Sequence, residues 1–183
     1  MKIQSEKKII FIGGIHGVGK TTFRKALGAH LEIEHFSASE LIQRSKQENL
    51  SKTKRVEDIN ENQDLFLSAL FRHTSSGYWN IIDGHFCLLD KDGNATKIPE
   101  AIFKEMHPSA ILTVFDDVER IRQRLQERDK SYYEPDLIKL FQNEEIEYSK
   151  YIAEQLSIPH LICKSNETMN SGLKFIEELI NGA

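Results

Sequence analysis

The sequence is poor in cysteine and in long apolar runs. Its two cysteines, Cys87 and Cys163, are far apart in the chain and form no CxxC pair, so neither a zinc site nor a disulfide framework is predicted. The apolar run from Ile9 to Ile12 is much shorter than the roughly 20 residues of a membrane span or the about 7 to 15 of a signal peptide. We therefore expect a cytoplasmic protein without a membrane segment.

The sequence also lacks an excess of positive charge, because 24 Lys and Arg residues stand against 28 Asp and Glu residues, for a formal net charge of -4. Proteins that coat nucleic acid need a clustered basic surface that neutralises phosphates. The charge balance therefore disfavours nucleic acid as the main partner. The length of 183 residues, with 39% hydrophobic and 28% charged residues, is typical of one globular domain that covers residues 1–183.

Apolar residues recur along the chain with periods that alternate between strand and helix. Buried strands are predicted at residues 8–12, 33–36, 79–83, 110–115 and 160–163. Helices are predicted at residues 20–31, from 39 onward, and at 57–74, 118–128, 135–156 and 172–180, with a turn between residues 89 and 98. In the helix from Pro135, the predicted inward face is Leu137, Leu140, Phe141, Tyr148, Tyr151, Ile152 and Gln155. This alternation predicts a three-layer α/β/α fold with a mostly parallel, five-stranded sheet.

The segment GGIHGVGKTT, residues 13–22, joins the first strand to the first helix. Gly14 to Thr21 match the motif GxxxxGK[ST], which is typical of the P-loop NTPase fold. In such a loop, backbone N–H groups and the positive end of the following helix hold a phosphate, Lys20 reaches the β- and γ-phosphates, and Thr21 holds Mg²⁺. The motif therefore predicts ATP and Mg²⁺ as cofactors. The predicted ATP-binding residues are Gly14, His16, Gly17, Val18, Gly19, Lys20, Thr21 and Thr22, with His16 as a variable position rather than a catalyst.

The metal also needs a carboxylate from a neighbouring strand, and Asp83 ends the predicted strand WNIID. We predict Thr21 and Asp83 as the metal ligands, with Asp83 and Lys20 among the catalytic residues. His85 follows two residues after Asp83. Two interpretations are open for His85, namely an imidazole that orients the acceptor or a water, and an incidental surface side chain.

The chain at this point resembles the adenylate kinase-like nucleoside monophosphate kinases of the P-loop class, and among them the small adenylate kinases with a short lid. The matching segments are GGIHGVGKTT, FSASELI, IIDGH, VFDDVERIRQRLQERD and LIKLFQNEEIEYSKYIAEQL, which together extend over almost the full length. The resemblance implies that lid arginines clamp the transferring phosphoryl group, and it places them at Arg124 and Arg128. These two and Arg120 also share one face of a predicted helix, and a planar guanidinium suits the charge of a loose phosphoryl transition state.

On the acceptor side, the sequence departs from the larger adenylate kinases. Those enzymes have Thr-Gly and then an arginine, whereas residues 37–44 here lack Thr-Gly and carry Arg44 one place late. Those enzymes also follow the strand aspartate with Gly-x-Pro-Arg, whereas residues 84–87 here read GHFC. Asp83-Gly84-His85 matches instead the Asp-x-His pattern of the short-lid enzymes.

A basic segment from Arg44 to Arg55 favours an anionic acceptor. It holds five basic residues and one acid, Glu48, in an otherwise acidic protein, although a solvated loop is the alternative interpretation. We predict an acceptor-binding helical insert at about 37–76 and a short lid at about 124–136. The predicted acceptor-binding residues are Ser39, Arg44, Arg55, Gln63 and His85, of which Arg55 binds the acceptor phosphate and Gln63 contacts the base.

Together, the motifs and the resemblance predict an ATP- and Mg²⁺-dependent phosphotransferase that moves the γ-phosphoryl group to a nucleoside monophosphate, with AMP as the first choice. Two other classes stay open, namely a nucleic-acid 5′-hydroxyl kinase and a nucleotide-controlled P-loop ATPase that acts as a binding protein. Phe36 is the only aromatic residue beside the basic segment, which disfavours base stacking there. The expected partners are small-molecule nucleotides. The sequence does not indicate whether the chain is a monomer or an oligomer.

Overall fold

The five predicted strands and the predicted helices are present in the predicted order, and a hairpin and one further helix are added between the third and fourth predicted strands. The structure is a computed structural model and describes residues 8–49, 59–90 and 93–182. The strands are β1 (Lys8–Gly13), β2 (Glu34–Ser37), β3 (Trp79–Asp83), β4 (Cys87–Leu89), β5 (Ala95–Lys97), β6 (Ala110–Phe115) and β7 (His160–Lys164). The helices are α1 (Lys20–Leu31), α2 (Ala38–Asn49), α3 (Ile59–His73), α4 (Glu100–Met106), α5 (Val118–Asp129), α6 (Pro135–Leu156) and α7 (Leu173–Asn181). Short 3-10 and π turns at Ser165–Glu167 and Thr168–Gly172 precede α7.

Five strands form one sheet in the order β2-β3-β1-β6-β7, and each pairing of neighbours within it is parallel. The central strand β1 buries Ile9, Ile10 and Ile12 completely. Parallel strands covered on both faces read as continuous apolar runs, which is why this strand was predictable. Helix α1 packs against β1, β2 and β3, and α6 packs against β6 and β7. The predicted three-layer fold with a five-stranded sheet is confirmed.

The predicted turn after residue 89 is part of a small antiparallel hairpin, in which β4 pairs with β5 and Leu88 lies opposite Thr96. Residues 91 and 92 lie outside the described residues. The hairpin packs against α6, where the Tyr148 hydroxyl donates a 2.7 Å hydrogen bond to the Ile98 carbonyl. The short connection from β3 to β4 is thereby held between the sheet and α6.

Helix α4 was not predicted. It begins after Pro99 and buries Ile102, Phe103 and Met106. A helix of two turns is too short for its period to be read reliably from the sequence. None of the helices in the three described ranges has the length and apolar content that crossing a bilayer requires.

The predicted inward face of α6 was partly wrong. Leu137, Leu140, Tyr151 and Gln155 are exposed. The buried face consists of Ile138, Phe141, Gln142, Glu145, Tyr148, Ser149, Ile152 and Ala153. The error arose because the prediction counted mainly apolar side chains, whereas three buried residues of this face are polar and bind backbone groups. Gln142, for example, accepts a hydrogen bond from the Asp116 N–H and donates one to the Asp116 carbonyl, both at 3.0 Å.

Candidate active site

The glycine loop lies at the carboxyl end of the sheet, beside the end of β3. Strands β1 and β3 pair with Ile12 opposite Asp83, and the Gly84 N–H donates a 3.0 Å hydrogen bond to the Ile12 carbonyl. Ligands of open α/β sheets bind outside the carboxyl ends of the strands. The fold therefore brings the predicted phosphate loop and the predicted metal carboxylate to one place.

Two glycines of the loop stand where a side chain would disturb the backbone. Gly19 immediately precedes α1 with φ of 97°, a left-handed conformation that glycine adopts at low cost. Gly14 lies so close to β6 that an added Cβ atom would be 2.6 Å from the carbonyl oxygen of Val114. The loop thus leads directly into the amino end of α1, where free N–H groups and the helix dipole favour an anion.

Lys20, the first residue of α1, is 7% exposed. Its Nζ donates a 3.3 Å hydrogen bond to the Ile15 carbonyl within the loop. Burial lowers the pKa of Lys20 to about 8, and the negative charges of Asp83 and Glu145 oppose this shift. A phosphate in the loop would add negative charge near Nζ and favour the protonated lysine.

Thr21 and Asp83, the two predicted metal ligands, are in contact. The Thr21 hydroxyl donates a 2.8 Å hydrogen bond to Asp83 Oδ2. Asp83 is 2% exposed, and its buried Oδ1 has no hydrogen-bonding partner among the described residues. Mg²⁺ is usually held by one or two carboxylates together with substrate phosphates and waters. A buried carboxylate beside a hydroxyl therefore fits the predicted Mg²⁺ site, although Oδ1 also lies 3.1 Å from the Arg24 guanidinium.

Arg24, which was not predicted from the sequence, lies beside this pair and is 1% exposed. Its Nε is 3.1 Å from Asp83 Oδ1, an ion pair without hydrogen-bond alignment, and its Nη2 is 3.5 Å from Glu40 Oε1. Its Nη1 lies 3.2 Å from His35 Nδ1. The sequence signal was its position three residues after Thr21, which places both on one face of α1. Arg24 offsets part of the charge of the buried Asp83.

Arg124, the first of the two predicted clamping arginines, reaches the phosphate loop from α5. Its Nη1 donates a 3.0 Å hydrogen bond to the Gly17 carbonyl and lies 2.8 Å from Asp116 Oδ2. Asp116 is itself buried, and it also accepts hydrogen bonds from the Ser165 hydroxyl and the Asp117 N–H. A buried carboxylate thus holds Arg124 beside the loop.

Arg128, one helical turn further along α5, forms an ion pair with the adjacent Asp129, with 2.5 Å between Nε and Oδ1. Asp129 also accepts a hydrogen bond from the Tyr133 hydroxyl. The positive charge of Arg128 is among the causes that lower the pKa of His16. Arg124 thus contacts the predicted phosphate loop, whereas Arg128 is paired with Asp129 at the end of α5.

The imidazoles of His16 and His85 are in contact, with ring centroids 4.3 Å apart. Burial, followed by the charge of Lys20, lowers the pKa of both histidines, and for His85 it does so strongly. His85 Nδ1 is buried and has no hydrogen-bonding partner within the described residues. The structure therefore places a neutral His85 between the phosphate loop and the neighbouring cavity.

This cavity has a volume of about 120 Å³ and is lined by nine apolar and three polar residues: Phe11, Ala38, Ile42, Phe66, Leu88, Ile98, Ile102, Phe103, Met106, Ser39, Gln63 and His85. Three predicted acceptor residues, Ser39, Gln63 and His85, are thus brought together. Arg44 is not among the lining residues, because it is exposed on α2 with its guanidinium 5.9 Å from the centre of the Phe36 ring. Arg55, predicted to bind the acceptor phosphate, lies outside the described residues.

Glu145 of α6, also not predicted, connects the phosphate loop to the residues after His85. Its Oε1 accepts hydrogen bonds from the Gly14 N–H at 3.0 Å and the Phe86 N–H at 2.9 Å, and its Oε2 accepts one from the Cys87 N–H at 2.7 Å. Burial raises the pKa of Glu145 to about 7, although the three N–H donors and Lys20 favour the ionised form. The sequence signal was an acid in the middle of the apolar face of α6.

The chain is similar to one known family and to several solved structures. The family described as AAA domain matches residues 13–141 of the chain. A shikimate kinase from Bacteroides thetaiotaomicron is 16% identical with a TM-score of 0.56, over 95% of this chain and 98% of that chain. A shikimate kinase from Acinetobacter baumannii, solved in complex with shikimate, is 16% identical with a TM-score of 0.58, over 99% of this chain and 97% of that chain. No curated protein matches the chain. The P-loop kinase fold is confirmed, whereas the similarity is not specific to adenylate kinases.

Proposed function

We propose that this chain, which belongs to the AAA domain family, is an ATP- and Mg²⁺-dependent kinase that transfers the γ-phosphoryl group to a small-molecule acceptor. The observation that carries the proposal is the hydrogen-bonded pair of Thr21 and Asp83 beside the buried Lys20, at the mouth of the glycine loop. P-loop enzymes use this set to hold Mg²⁺ and the β- and γ-phosphates. Phosphoryl transfer then needs mainly positioning and electrostatic stabilisation from the protein.

On the donor side, the loop amides and Lys20 bind the ATP phosphates, and Thr21 and Asp83 hold the metal. Mg²⁺ bound there supplies positive charge that stabilises the oxygens of the transferring group. Arg124 and Arg128 add two guanidinium groups from the short lid at about 124–136. The contact of Arg124 with the Gly17 carbonyl supports this role, because it places a guanidinium directly at the loop.

On the acceptor side, we propose a nucleoside monophosphate, with AMP as the first candidate. The cavity supports this choice because Phe11, Phe66 and Phe103 offer apolar ring surfaces for a flat base. The amide of Gln63 presents both a donor and an acceptor, as the edge of a base requires. A base in the cavity would direct the monophosphate past His85 toward the loop.

In this proposal, Arg55 from the insert at about 37–76 binds the acceptor phosphate. No charged side chain is among the residues that line the cavity in the described ranges, so a positively charged group outside this lining must bind the phosphate of the acceptor.

We expect the chain to act as one domain and to be located in the cytoplasm.

ADP formation from Mg-ATP tests the proposal directly. Purified protein is assayed alone and with each of AMP, CMP, UMP, GMP and dTMP, and also with shikimate as an acceptor that lacks a phosphate. The Lys20→Ala variant serves as the control for contaminating kinases. We expect a large increase in ADP with one monophosphate and its loss in Lys20→Ala. Phosphorus NMR should show the new diphosphate, which in the case of AMP is a second ADP for each ATP consumed.

Three results would contradict the proposed acceptor or the proposed function. Transfer to shikimate alone would retain a kinase and reject the nucleotide acceptor. A slow release of ADP that is unchanged by all six compounds would reject these acceptors, and it would favour the nucleotide-controlled binding protein or an acceptor outside this set. A mobility shift with an oligonucleotide that weakens with salt, together with labelling of its 5′ end, would favour the nucleic-acid kinase.

A further inference from the structure

We propose that Glu145 is a positioning residue that aligns the phosphate loop with the segment that carries His85. The inference rests on the proposed kinase function, because it concerns how the donor side and the acceptor side are held relative to each other. Glu145 belongs to neither side, since it comes from α6 and lies 131 residues from Gly14 in the chain.

A single carboxylate oxygen joins the two sides. Oε1 of Glu145 accepts the N–H of Gly14, the first residue of the loop motif, at 3.0 Å. The same Oε1 accepts the N–H of Phe86, the residue after His85, at 2.9 Å, while Oε2 accepts the N–H of Cys87 at 2.7 Å. A movement of this carboxylate must therefore displace the loop and the His85 segment together.

Packing around the carboxylate keeps the two segments in contact. The Phe86 ring lies so close to β1 that a Cβ atom added at Gly13 would be 2.2 Å from it. The same ring stacks on Phe103 with centroids 5.0 Å apart. Glu145 is 1% exposed, so solvent does not replace its hydrogen bonds if they are lost. The geometry of the pair of segments consequently depends on the acceptor oxygens that Glu145 supplies.

The presence of a carboxylate at position 145, rather than an apolar side chain, supports a positioning role. Burying a carboxylate costs free energy unless hydrogen bonds compensate, and an apolar residue would fill the same space at less cost. Charge-assisted hydrogen bonds to backbone N–H groups are strong and directional. A glutamine could keep the two bonds at Oε1, but its amide would turn an N–H donor toward the N–H of Cys87.

The test compares Glu145→Gln with Glu144→Gln, which makes the same chemical change at the neighbouring position. The Glu144 side chain is 44% exposed, with its carboxylate 3.9 Å from the Lys97 ammonium, so it is a matched surface control. We expect Glu145→Gln to lower kcat by about 100-fold, because a displacement of about 1 Å costs that much in a reaction that relies on positioning. The KM for ATP should stay within about 3-fold, because Lys20, Thr21 and most loop amides remain.

Hydrogen exchange supplies a readout that needs no substrate. In Glu145→Gln, amides of residues 13–19 and of residues 84–88 should exchange faster together, while Glu144→Gln leaves both unchanged. Faster exchange in only one segment would overturn the coupling. So would a kcat for folded Glu145→Gln that equals the kcat of Glu144→Gln, or a defect that appears only as a raised KM for one substrate.

If Glu145→Gln does not fold, Glu145→Asp keeps the charge and shortens its reach. A folded Glu145→Asp with unchanged kcat and unchanged exchange in both segments would overturn the proposal, and joint acceleration of exchange would support it. Absence of phosphoryl transfer by the unmutated protein would count against the proposed function, whereas the exchange result would still decide whether Glu145 couples the two segments.

Discussion

The Thr21 hydroxyl and the Asp83 carboxylate are joined by a 2.8 Å hydrogen bond between the first helix and the third strand of the chain. They meet because β1 and β3 pair in parallel with Ile12 opposite Asp83. A glycine loop and an acid at a strand end, which are separate signals in the sequence, thus form one oxygen-rich site.

Thr21→Ala should lower the rate of phosphoryl transfer by about 100-fold at saturating ATP, because one oxygen ligand of Mg²⁺ is lost. Thr21→Ser keeps the hydroxyl and should stay within about 5-fold of the unmutated rate. Titration with Mg²⁺ at fixed ATP measures the effect, since only the alanine variant should need more metal to reach half of its maximal rate. Equal metal dependence in the two variants would count against Thr21 as a ligand.

Removal of the Lys20 charge should make the ligand-free protein more stable while it abolishes transfer. Burial holds the pKa of Lys20 at about 8 when folded, below its ordinary 10.5, so the charged form costs up to about 3 kcal/mol near neutral pH. Lys20→Met should therefore raise the free energy of unfolding by about 1 to 3 kcal/mol at pH 7. Asp83 and Glu145 lose a nearby positive charge in this variant, which reduces the gain.

The difference in stability between Lys20→Met and the unmutated protein should depend on pH. Between the folded-state pKa and the unfolded-state pKa of Lys20, the unfolded chain binds more protons, so the unmutated protein gains stability as the pH rises. The advantage of Lys20→Met should thus shrink above about pH 8 and be nearly absent above about pH 10. Urea denaturation without nucleotide at several pH values measures it. If Lys20→Met were less stable than the unmutated protein at pH 7, burial of the charged Lys20 side chain would not destabilise the folded state.

Local signals explain what was predictable from the sequence. The strands β1 and β6 are mainly apolar runs, and β3 carries the apolar pair Ile81-Ile82, because both faces of the sheet are covered. The loop motif is set by backbone geometry within Gly14 to Thr21. Such features depend on neighbours in the chain. Their prediction therefore requires no information on how the helices rotate or pack.

Tertiary contacts explain what was not predictable. Glu145 acquires its role only when α6 turns it toward Gly14 and Phe86, and an acid at that position also fits an exposed helix face. Arg24 is a surface residue by type and becomes buried because Asp83 and Glu40 lie on both sides of it. The cavity likewise combines residues from several elements between Phe11 and Met106, so its shape has no signature in one dimension.

Arg124 should contribute to transfer, whereas Arg122 on the same helix should not. Arg124→Ala should lower kcat by about 100- to 1,000-fold with a change in the Kd for ATP below about 5-fold, because in the proposed clamp its guanidinium stabilises developing charge rather than the bound nucleotide. Arg122 pairs with Glu119 at 2.5 Å on α5, so Arg122→Ala is the matched control. Arg124→Lys should not restore the rate, because an ammonium lacks the planar fork of donors.

Steady-state kinetics and ATP binding measured on the same preparations separate these outcomes. Equal rates in Arg124→Ala and Arg122→Ala would remove Arg124 from the proposed clamp. A Kd for ATP that rises as much as kcat falls would instead assign Arg124 to ground-state binding of the nucleotide.

Filling the cavity should weaken acceptor binding without weakening ATP binding. Ile42 of α2 lines the cavity, and the neighbouring Gln43 is exposed on the same helix. Ile42→Trp adds a bulky ring to a cavity of about 120 Å³ and should raise the KM for the acceptor by at least about 10-fold. Gln43→Trp adds the same ring to the surface and should leave this KM unchanged. The Kd for ATP, measured without acceptor, should be equal in both variants, because none of the residues 13–22 of the glycine loop lines the cavity. An acceptor KM that is unchanged in a folded Ile42→Trp protein would show that the acceptor binds outside this cavity.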